Sequence, residues 1–394
     1  MRRVYLDNAA TTAPDPEVIE AMLPFYKYYY GNSSSLHTFG REAGVALEES
    51  REKVSACLNA EKKEIIFTSG GTESDNIALL GIALKRKKFI KEHPKGPHII
   101  TTPFEHPAVF NTAKYLQTLG FKVKYLPVDQ YGFVDVNQIQ ESISAGTFLC
   151  SIIYGHNEIG TIEPIEEIGK ITREMGVAFH TDAVQAFGKV PIDVRRENID
   201  LLSLSGHKIY GPKGVGALYV RKGMKIGPIV HGGGHERGFR SGTENVPGIV
   251  GLAKASEIAT TRMKQETRHL LNLRDKLIKG ISNNIKESFL NGHPVKRLPN
   301  NAHFRFTAVE GESLLLLLDN MGIAASTGSA CSSKKLEPSH ALRAIGIDPA
   351  EAHGSLRFTL GRMNTEEEVD YLLEVLPDIV SKLRNMSPLW GNKK

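Results

Sequence analysis

Apolar runs and polar turns alternate from residue 64 onwards, and the lengths of the runs predict a layered α/β fold. The short apolar runs at 64–68 and 148–154 have the length of buried strands, and longer stretches such as 108–119 have the spacing of amphipathic helices. Strands that alternate with helices in this way are usually parallel, with helices on both faces of the sheet. The pattern therefore predicts a mostly parallel sheet in a large domain.

A second group of elements follows a glycine-rich connector at 227–245 and a long helical stretch at 251–285. Its predicted strands lie near 288–291, 302–307 and 355–360, and its predicted helices lie at 312–321 and 365–383. We therefore expect a large domain at 14–256 and a smaller α+β domain that combines 1–13 with 257–394.

Composition and charge exclude several classes of protein. Of the 394 residues, 41% are hydrophobic and 24% are charged, which is ordinary for a soluble globular protein. The net charge of +5 is spread among acidic residues and forms no basic stripe with interleaved aromatic residues, so we expect no direct nucleic-acid binding. The longest leucine run, Leu314–Leu318, is too short to cross a membrane.

The N-terminus and the cysteines indicate the compartment. Met1 is followed by two arginines but by no apolar stretch of signal-peptide length. Cys57, Cys150 and Cys331 are odd in number and far apart, so they fit neither a disulfide framework nor a closed zinc site. These features predict a cytoplasmic protein in a reducing environment.

Lys208 is the first candidate for chemistry, because it follows a predicted buried strand and precedes a glycine–proline turn. At the carboxyl edge of an α/β sheet, where ligands bind, burial lowers the pKa of a lysine and allows a Schiff base with an aldehyde cofactor. A solvated loop lysine is the common alternative. Polar clusters at 105–107, 155–160 and 180–185 follow other strands, and a parallel sheet would bring them to the same edge.

The turn at 69–76 opens a predicted helix, whose first backbone amides suit a phosphate. A simple helix N-cap at Thr72 is the alternative, because the turn matches neither a P-loop nor a dinucleotide fingerprint.

The other strand ends offer groups for an aromatic ring. Asp182 can hold a protonated pyridine nitrogen or cap a helix, and Gln185 can donate to a ring hydroxyl. His106 can flank the ring and exchange protons with a substrate, or it can be a packed strand-end histidine. Together with Lys208 and a phosphate-binding turn, these groups meet the needs of a pyridoxal 5′-phosphate site.

Three further polar residues allow two interpretations each. Asn32 can reach a ligand or close an Asx-turn, and the turn is the favoured interpretation. His231 and His235 can ligate a metal, but no third ligand is apparent, so a backbone loop is favoured and no metal site is predicted.

Cys331 lies in a stretch of small residues and is followed by serines and two lysines. An exposed cysteine in electropositive surroundings has more thiolate than an ordinary one, so Cys331 is a candidate nucleophile.

The sequence resembles the cysteine desulfurases, which are pyridoxal-phosphate enzymes of fold type I (aspartate-aminotransferase-like). The resembling segments cover nearly the whole chain and are Tyr5-Leu-Asp-Asn-Ala-Ala-Thr-Thr, Thr68-Ser-Gly-Gly-Thr-Glu-Ser, Glu105-His, Asn157-Glu-Ile-Gly, His180-Thr-Asp-Ala-Val-Gln, Ser205-Gly-His-Lys-Ile-Tyr-Gly-Pro-Lys-Gly, Arg240-Ser-Gly-Thr-Glu-Asn, Gly328-Ser-Ala-Cys and Ser355-Leu-Arg-Phe-Thr-Leu-Gly-Arg. The chain is similar to the group with the longer cysteine loop, here about 324–338, which commonly supplies sulfur for iron–sulfur cluster assembly and tRNA thiolation.

The resemblance implies a role for individual residues. The residues implied to bind the cofactor are Gly71, Thr72, His106, Asn157, Asp182, Gln185, Ser205, His207, Lys208 and Thr243. Thr243 would reach the phosphate of the other subunit, which implies a homodimer with shared sites. The residues implied to contact the substrate are Asn32, Asn157 and Arg357, although an arginine in an apolar strand is more often half of a buried ion pair.

The implied reaction removes sulfur from L-cysteine. Lys208 removes the Cα proton, the Cys331 thiolate attacks the substrate sulfur, and His106 manages the thiol proton. The products are L-alanine and a persulfide on Cys331, which passes to an iron–sulfur scaffold protein or another acceptor. Cys331 as a transient cluster ligand is a further alternative.

Other functions remain open at the level of sequence. A selenocysteine lyase or an aminotransferase can use the same fold, and a non-catalytic sulfur carrier or cluster scaffold can use Cys331 without the cofactor. The chain departs from the family pattern at Ser33, Gly71 and His156, where members often have Pro, Ala and Asn. The effect of His156 on the cofactor is not predicted.

Overall fold

The computed structural model describes residues 2–86, 97–327 and 338–391. The strands are β1 Val4–Tyr5, β2 Ile65–Thr68, β3 His98–Thr101, β4 Lys122–Tyr125, β5 Thr147–Ser151, β6 Ala178–Asp182, β7 Leu201–Ser205, β8 Gly216–Val220, β9 Ser288–Leu290, β10 Asn301–Phe306, β11 Ile323–Ala324 and β12 Ser355–Thr359. The α-helices are α1 Pro16–Lys27, α2 Thr38–Ala56, α3 Gly71–Arg86, α4 Pro107–Thr118, α5 Val136–Ser142, α6 Ile165–Glu174, α7 Val246–Asn284, α8 Gly311–Asn320, α9 His340–Ala344, α10 Pro349–Ala352, α11 Glu366–Met386 and α12 Pro388–Gly391.

The central sheet has seven strands in the order β2-β8-β7-β6-β5-β3-β4. Strands β3 to β7 are all parallel to one another, whereas β8 is antiparallel to both β7 and β2. The prediction of a mostly parallel sheet is therefore confirmed. The carboxyl ends of β5, β6 and β7 lie side by side, because Ser151 pairs with His180 and Asp182 pairs with Ser203.

Helices cover both faces of this sheet, since successive side chains of a strand point to opposite faces. Leu149 joins a hydrophobic cluster with α3 and α4. Its neighbour Cys150 joins a cluster with α2, α6 and the first part of α7. Nearly every strand residue at the centre is buried, as expected for a parallel sheet that is covered on both sides.

A second core forms around the three-stranded sheet β12-β10-β9, which is antiparallel. Helices α8, α11 and the later part of α7 pack on it. Buried residues of α7 up to Ala259 lie in the first core, and those from Leu270 lie in the second. This change supports a domain boundary inside α7, although the division into 14–256 and the remainder stays a prediction.

Several elements differ from the sequence-based prediction. Helix α1 was not expected, although Asp15 caps it by accepting from the Glu17 N–H and Pro16 occupies its first turn. Strand β5 ends at Ser151 rather than at residue 154, because the buried run continues beyond the ladder. Helix α7 begins at Val246 because the Asn245 side chain accepts from the backbone N–H of Gly248.

Candidate active site

Lys208 lies directly after β7, in a short 3₁₀ turn at Gly206–Lys208. Its Nζ donates to the carbonyl oxygens of Ala9 (2.6 Å) and Ala10 (2.7 Å), so the N-terminal segment lies against the lysine. The side chain is half-buried at the carboxyl edge of the sheet, as predicted.

Asp182 is the last residue of β6 and is buried. Its Oδ1 accepts from the Val184 N–H at 2.9 Å, so it caps the turn that follows, but no helix begins there. Burial raises the pKa of Asp182 to about 6, although this hydrogen bond and the Lys208 charge both favour the carboxylate and lower the pKa. Gln185 donates to the Ala9 carbonyl at 2.9 Å, the same oxygen that Lys208 contacts.

His106 is the N-cap of α4, where its Nδ1 accepts from the Ala108 N–H at 3.1 Å. This contact leaves the proton of the neutral imidazole on Nε2. Burial, with smaller effects of the Lys208 charge and of His340, lowers the pKa of His106 to about 4, so the ring is neutral at neutral pH. The structure brings His106 to Asp182, because one ring nitrogen of His106, one oxygen of Asp182 and one oxygen of Asp75 all lie within 4.8 Å of one another.

The start of α3 forms a cradle next to Ser205. Gly70 has a φ of 153°, and a Cβ built there would lie 3.8 Å from the Ser205 Oγ. A Cβ on Gly71 would lie 2.6 Å from the Cγ2 of Val184, so a side chain there requires Val184 to move. Thr72 is exposed in the first turn of α3 rather than preceding the helix, so the N-cap interpretation of Thr72 is wrong.

The remaining predicted phosphate ligands are less tightly grouped. His207 is half-buried, and its Nδ1 lies 3.2 Å from the Thr11 Oγ1; burial, then nearby lysines, lowers the pKa of His207 to about 4. Thr243 and Asn32 are exposed, and the contact between Ser33 Oγ and Glu244 Oε2 (2.7 Å) brings their loops together. Within the described ranges, no hydrogen bond joins either residue to Lys208.

Asn32 and His235 each accept a hydrogen bond from a backbone N–H of their own loop. Asn32 Oδ1 accepts from the Ser34 N–H at 2.9 Å, which is the predicted Asx-turn. His235 Nδ1 accepts from the Gly242 N–H at 3.3 Å, so this ring serves the backbone of its own loop.

Arg357 on β12 meets the site from the second core. Its Nη2 pairs with Asp7 Oδ1 at 2.9 Å, and its Nη1 donates to the Asn157 carbonyl at 2.9 Å. The ion-pair interpretation of Arg357 is therefore confirmed, and no pattern in the sequence pointed to Asp7 as its partner. The Asn157 Oδ1 is buried and has no hydrogen-bond partner in the described part of the chain, so it can accept from a ligand.

His156 is fully buried and holds two loops of the site together. Its Nε2 donates to the Phe104 carbonyl at 2.8 Å, and its ring stacks on the Phe104 ring with centroids 3.9 Å apart. Its Nδ1 accepts from the N–H groups of Glu158 (3.1 Å) and Ile159 (3.3 Å). Burial lowers the pKa of His156 to about 3, so this departure from the family pattern adds no charge at neutral pH.

Cys331 lies outside the described residues, but both flanking segments contact the site. The Ser326 and Arg357 backbones pair on the N-terminal side. On the C-terminal side, Ser339 Oγ donates to Glu158 Oε2 at 2.6 Å, and His340 Nε2 lies 2.9 Å from the Glu105 carbonyl oxygen. The chain on either side of residues 328–337 is therefore fixed at the edge that carries His106 and Asn157.

The donor set fits pyridoxal 5′-phosphate. A lysine amine, a buried carboxylate and an unsatisfied amide oxygen converge from Lys208, Asp182 and Asn157. The glycine cradle at the start of α3 presents backbone amides beside the Ser205 hydroxyl, which suits a phosphate.

Asp75 on α3 was missed by the sequence analysis. Its side chain is fully buried close to Asp182 and His106. The available signal was its spacing from Ala78, Leu79 and Ile82, which lie three, four and seven residues further on, share its face of α3 and are buried.

Comparisons with known proteins agree with this geometry. The aminotransferase class-V family model matches residues 4–372. The cysteine desulfurase IscS of Methanosarcina thermophila is 56% identical over 388 residues, covering 98% of this chain and 94% of that protein. The cysteine desulfurase IscS of Clostridium botulinum (strain Kyoto / Type A2) is 56% identical over 391 residues, covering 99% and 97%.

Solved structures show the same fold. A NifS-like protein superposes with a TM-score of 0.89 at 42% identity, covering 97% of this chain and 100% of that one. A structure described as SspA in complex with cysteine gives a TM-score of 0.79 at 36% identity, covering 92% and 100%. The expected fold type I is confirmed, and this chain belongs to the class-V aminotransferase family of pyridoxal-phosphate enzymes.

Proposed function

We propose that this protein is a pyridoxal-phosphate-dependent cysteine desulfurase, which converts L-cysteine to L-alanine and leaves the sulfur as a persulfide on Cys331. The observation that carries the proposal is the convergence of Lys208, Asp182 and His106 at one edge of the sheet. The identity of about half the residues with cysteine desulfurases along the whole chain supports the same conclusion.

The cofactor, when bound, supplies an electron sink that stabilises negative charge at the substrate Cα. Lys208 would bind its aldehyde carbon covalently, and the free amine of Lys208 would take the Cα proton of the substrate. Asp182 would accept a hydrogen bond from the protonated pyridine nitrogen, and Gln185 would donate one to the ring hydroxyl. The residues assigned to the phosphate are Gly71, Thr72, Ser205, His207 and the partner's Thr243.

Proton transfer from the substrate thiol falls to His106. With a pKa lowered to about 4, the imidazole is neutral at neutral pH and has a basic nitrogen. Its Nδ1 is engaged by the Ala108 N–H in this structure, so a change of tautomer or a small rotation accompanies its action as a base.

Arg357 and Asn157 are assigned to the substrate carboxylate, with Asn32 nearby. A carboxylate can take the place that the Asp7 oxygen now has on the planar fork of Arg357. Asp7 neutralises the buried guanidinium when no substrate is present, which removes the cost of an unpaired buried charge.

The sulfur step balances without an outside oxidant or reductant. The Cys331 thiolate forms an S–S bond with the substrate sulfur as the Cβ–S bond breaks. The electron pair of the broken bond stays on the carbon skeleton, which takes up protons and leaves as alanine. The transferred sulfur is oxidised and the carbon is reduced by the same two electrons.

The decisive experiment is incubation of the purified, pyridoxal-phosphate-loaded protein with L-cysteine and no keto acid. When an added thiol regenerates Cys331, we expect one alanine for each L-cysteine consumed. Without the thiol, we expect one extra sulfur atom on the peptide that contains Cys331. Cys331→Ser protein is expected to keep the cofactor absorbance but to lose sulfur transfer, by at least about 10²-fold, because a hydroxyl is a far weaker nucleophile than a thiolate.

Three results would contradict the proposal. Alanine that appears only with a keto acid would indicate an aminotransferase. A reaction confined to selenocysteine would indicate a lyase for that substrate. Protein that never acquires the cofactor would indicate a sulfur carrier or cluster scaffold.

We also propose a homodimer with shared sites, and the exposed positions of Thr243 and Asn32 are compatible with it. Large exposed aromatic side chains lie near Asn32 in sequence, including Tyr28, Tyr30 and Phe39, which suits a surface that is covered by a second copy. Thr243→Val is expected to weaken cofactor binding about 10-fold, the value of one charge-assisted hydrogen bond of about 1.5 kcal/mol.

Mixed dimers test whether the threonine acts across subunits. A dimer of one Thr243→Val chain and one Lys208→Ala chain contains one fully intact site if Thr243 serves the neighbouring Lys208. Half of its sites should then bind pyridoxal phosphate with wild-type affinity. If Thr243 serves its own chain, no such sites appear.

We propose that the persulfide sulfur passes from Cys331 to an iron–sulfur scaffold protein or to another sulfur acceptor. The enzymes of tRNA thiolation are among these acceptors. The similarity to the group with the longer cysteine loop supports this assignment. A reducing, cytoplasmic setting is supported by Cys57 and Cys150, which are both free thiols. No helix in the described ranges is long and apolar enough to span a membrane.

A further inference from the structure

A second carboxyl group lies behind Asp182. Asp75, in the first turns of α3, is completely buried, and one of its oxygens lies within 4.8 Å of an Asp182 oxygen and of a His106 ring nitrogen. Neither oxygen has a hydrogen bond of good geometry in the described part of the chain. The Ser203 hydroxyl is close enough to favour the anion weakly.

Asp75 on α3 faces a chain of neutral, hydrogen-bonded side chains of the central sheet. Ser151 Oγ lies 2.8 Å from His180 Nδ1, and His180 Nε2 lies 3.1 Å from Ser203 Oγ and 3.6 Å from Asp75 Oδ1. All these side chains are fully buried. Burial lowers the pKa of His180 to about 3, so the imidazole provides no positive charge to Asp75.

The other titratable groups that face Asp75 do not favour its ionisation either. Glu105 and Asp182 both raise its pKa, and His106 is neutral. Lys208 lies on the side of Asp182 and lowers the pKa of that carboxyl. Asp182 also accepts the Val184 N–H, so the two carboxyls are not equivalent.

Two carboxylates this close in a dry interior repel each other strongly, so one of them keeps its proton. We propose that Asp75 retains its proton at neutral pH, so that the buried pair Asp75–Asp182 carries a single negative charge, which resides on Asp182. Asp75 is thus a positioning residue: it fixes the charge that Asp182 presents to a pyridine nitrogen.

The protonation of Asp75 is inferred from its burial and its neighbours and does not depend on the proposed function, whereas its purpose depends on the proposed cofactor role of Asp182. The direction of the pKa shift agrees, because burial first, and the Asp182 charge second, raise the pKa of Asp75 well above its usual range. A charge of −2 would exceed what one protonated ring nitrogen can neutralise.

Infrared spectroscopy of protein labelled with carbon-13 at the aspartate side chains tests this directly. At neutral pH, we expect a labelled C=O stretching band of a protonated carboxylic acid, which vanishes in Asp75→Asn. Labelling aspartate alone removes interference from buried glutamates such as Glu105. Asp200→Asn is the matched control, since Asp200 is also buried but its carboxyl group pairs with the Arg221 guanidinium at 2.8 Å.

The outcomes separate this inference from the proposed function. A labelled band that is absent from the wild type, or that persists in Asp75→Asn, would overturn the inference even if the enzyme releases alanine. Should Asp75→Asn not fold, Asp75→Glu must lose the aspartate band and gain one under glutamate labelling, and its failure to do so counts against the proposal. The measurement is made on both cofactor-loaded and cofactor-free protein, so it stands even if desulfurase activity is not found.

Discussion

Replacing Lys208 with alanine is expected to abolish the formation of alanine from L-cysteine, with a loss of at least about 10³-fold in turnover. Proton transfer by a positioned general base alone contributes roughly 10²–10⁴-fold, and Lys208 also provides the covalent attachment of the cofactor. The ratio of wild-type to Lys208→Ala turnover is obtained from the rates of alanine release, measured at saturating pyridoxal phosphate.

Lys213→Ala is the matched control for this change. Lys213 lies five residues further along the same turn, is exposed, and has no assigned role, so its loss should leave turnover and cofactor attachment unchanged. Reduction with borohydride followed by peptide mass mapping should find the cofactor on Lys208 in the wild type and in Lys213→Ala. Cofactor attached to any other lysine, or a Lys208→Ala protein with ordinary turnover, would disprove the assignment.

The repeated units of the large sheet were predictable because each is a local pattern. A buried strand of four or five residues such as β2 or β7 needs only a short apolar run, and α3 and α4 each begin at a recognisable turn. The order of strands was not predictable, since β8 enters between β2 and β7 in the opposite direction. That arrangement depends on packing between distant segments.

The N-terminal segment shows the same limit. Residues 5–12 have a polar, turn-prone composition, yet β1 pairs with β11 and the carbonyls of Ala9 and Ala10 contact Lys208. Backbone carbonyls have no signature in the sequence, so their role as partners of a lysine can be found only in three dimensions.

The site residues that follow strands were predictable from the sequence, whereas Asp75 and Asp7 were not. Lys208, Asp182 and His106 each follow a strand, and parallel strands bring their carboxyl ends to one edge, so topology alone predicts that they meet. Asp75 and Asp7 occupy a helix face and a terminal segment, where an acidic residue is usually solvated. The burial of Asp75 follows from the packing of α3 on the sheet, and the position of Asp7 beside Arg357 follows from the pairing of the N-terminal segment with β12.

Replacing Asp182 with asparagine is expected to have opposite effects on cofactor binding and on the stability of the cofactor-free protein. Burial raises the pKa of Asp182 to about 6, above the ordinary value of 3.8. The unfolded chain therefore loses this proton at lower pH than the folded protein does. The favourable contribution of the protonated acid is complete below about pH 4 and is lost as the pH rises through about 6.

At pH 8 the buried carboxylate therefore costs the cofactor-free protein on the order of 2–3 kcal/mol, since one pKa unit corresponds to about 1.4 kcal/mol. Asp182→Asn lacks this cost, so its cofactor-free form should resist urea better than the wild type at pH 8, while the difference narrows or reverses near pH 4.

The same substitution removes the only ionised partner assigned to the pyridine nitrogen. Cofactor affinity should fall at least about 10-fold, and turnover should fall further, because a charge-assisted hydrogen bond is worth about 1.5–3 kcal/mol. Gln185→Glu is a useful companion, since it adds a carboxylate beside the ring without restoring one at position 182. Equal urea midpoints for wild type and Asp182→Asn at pH 8, together with unchanged cofactor affinity, would contradict this prediction. The buried carboxylate of Asp182 would then neither destabilise the cofactor-free protein nor contribute to binding of the ring.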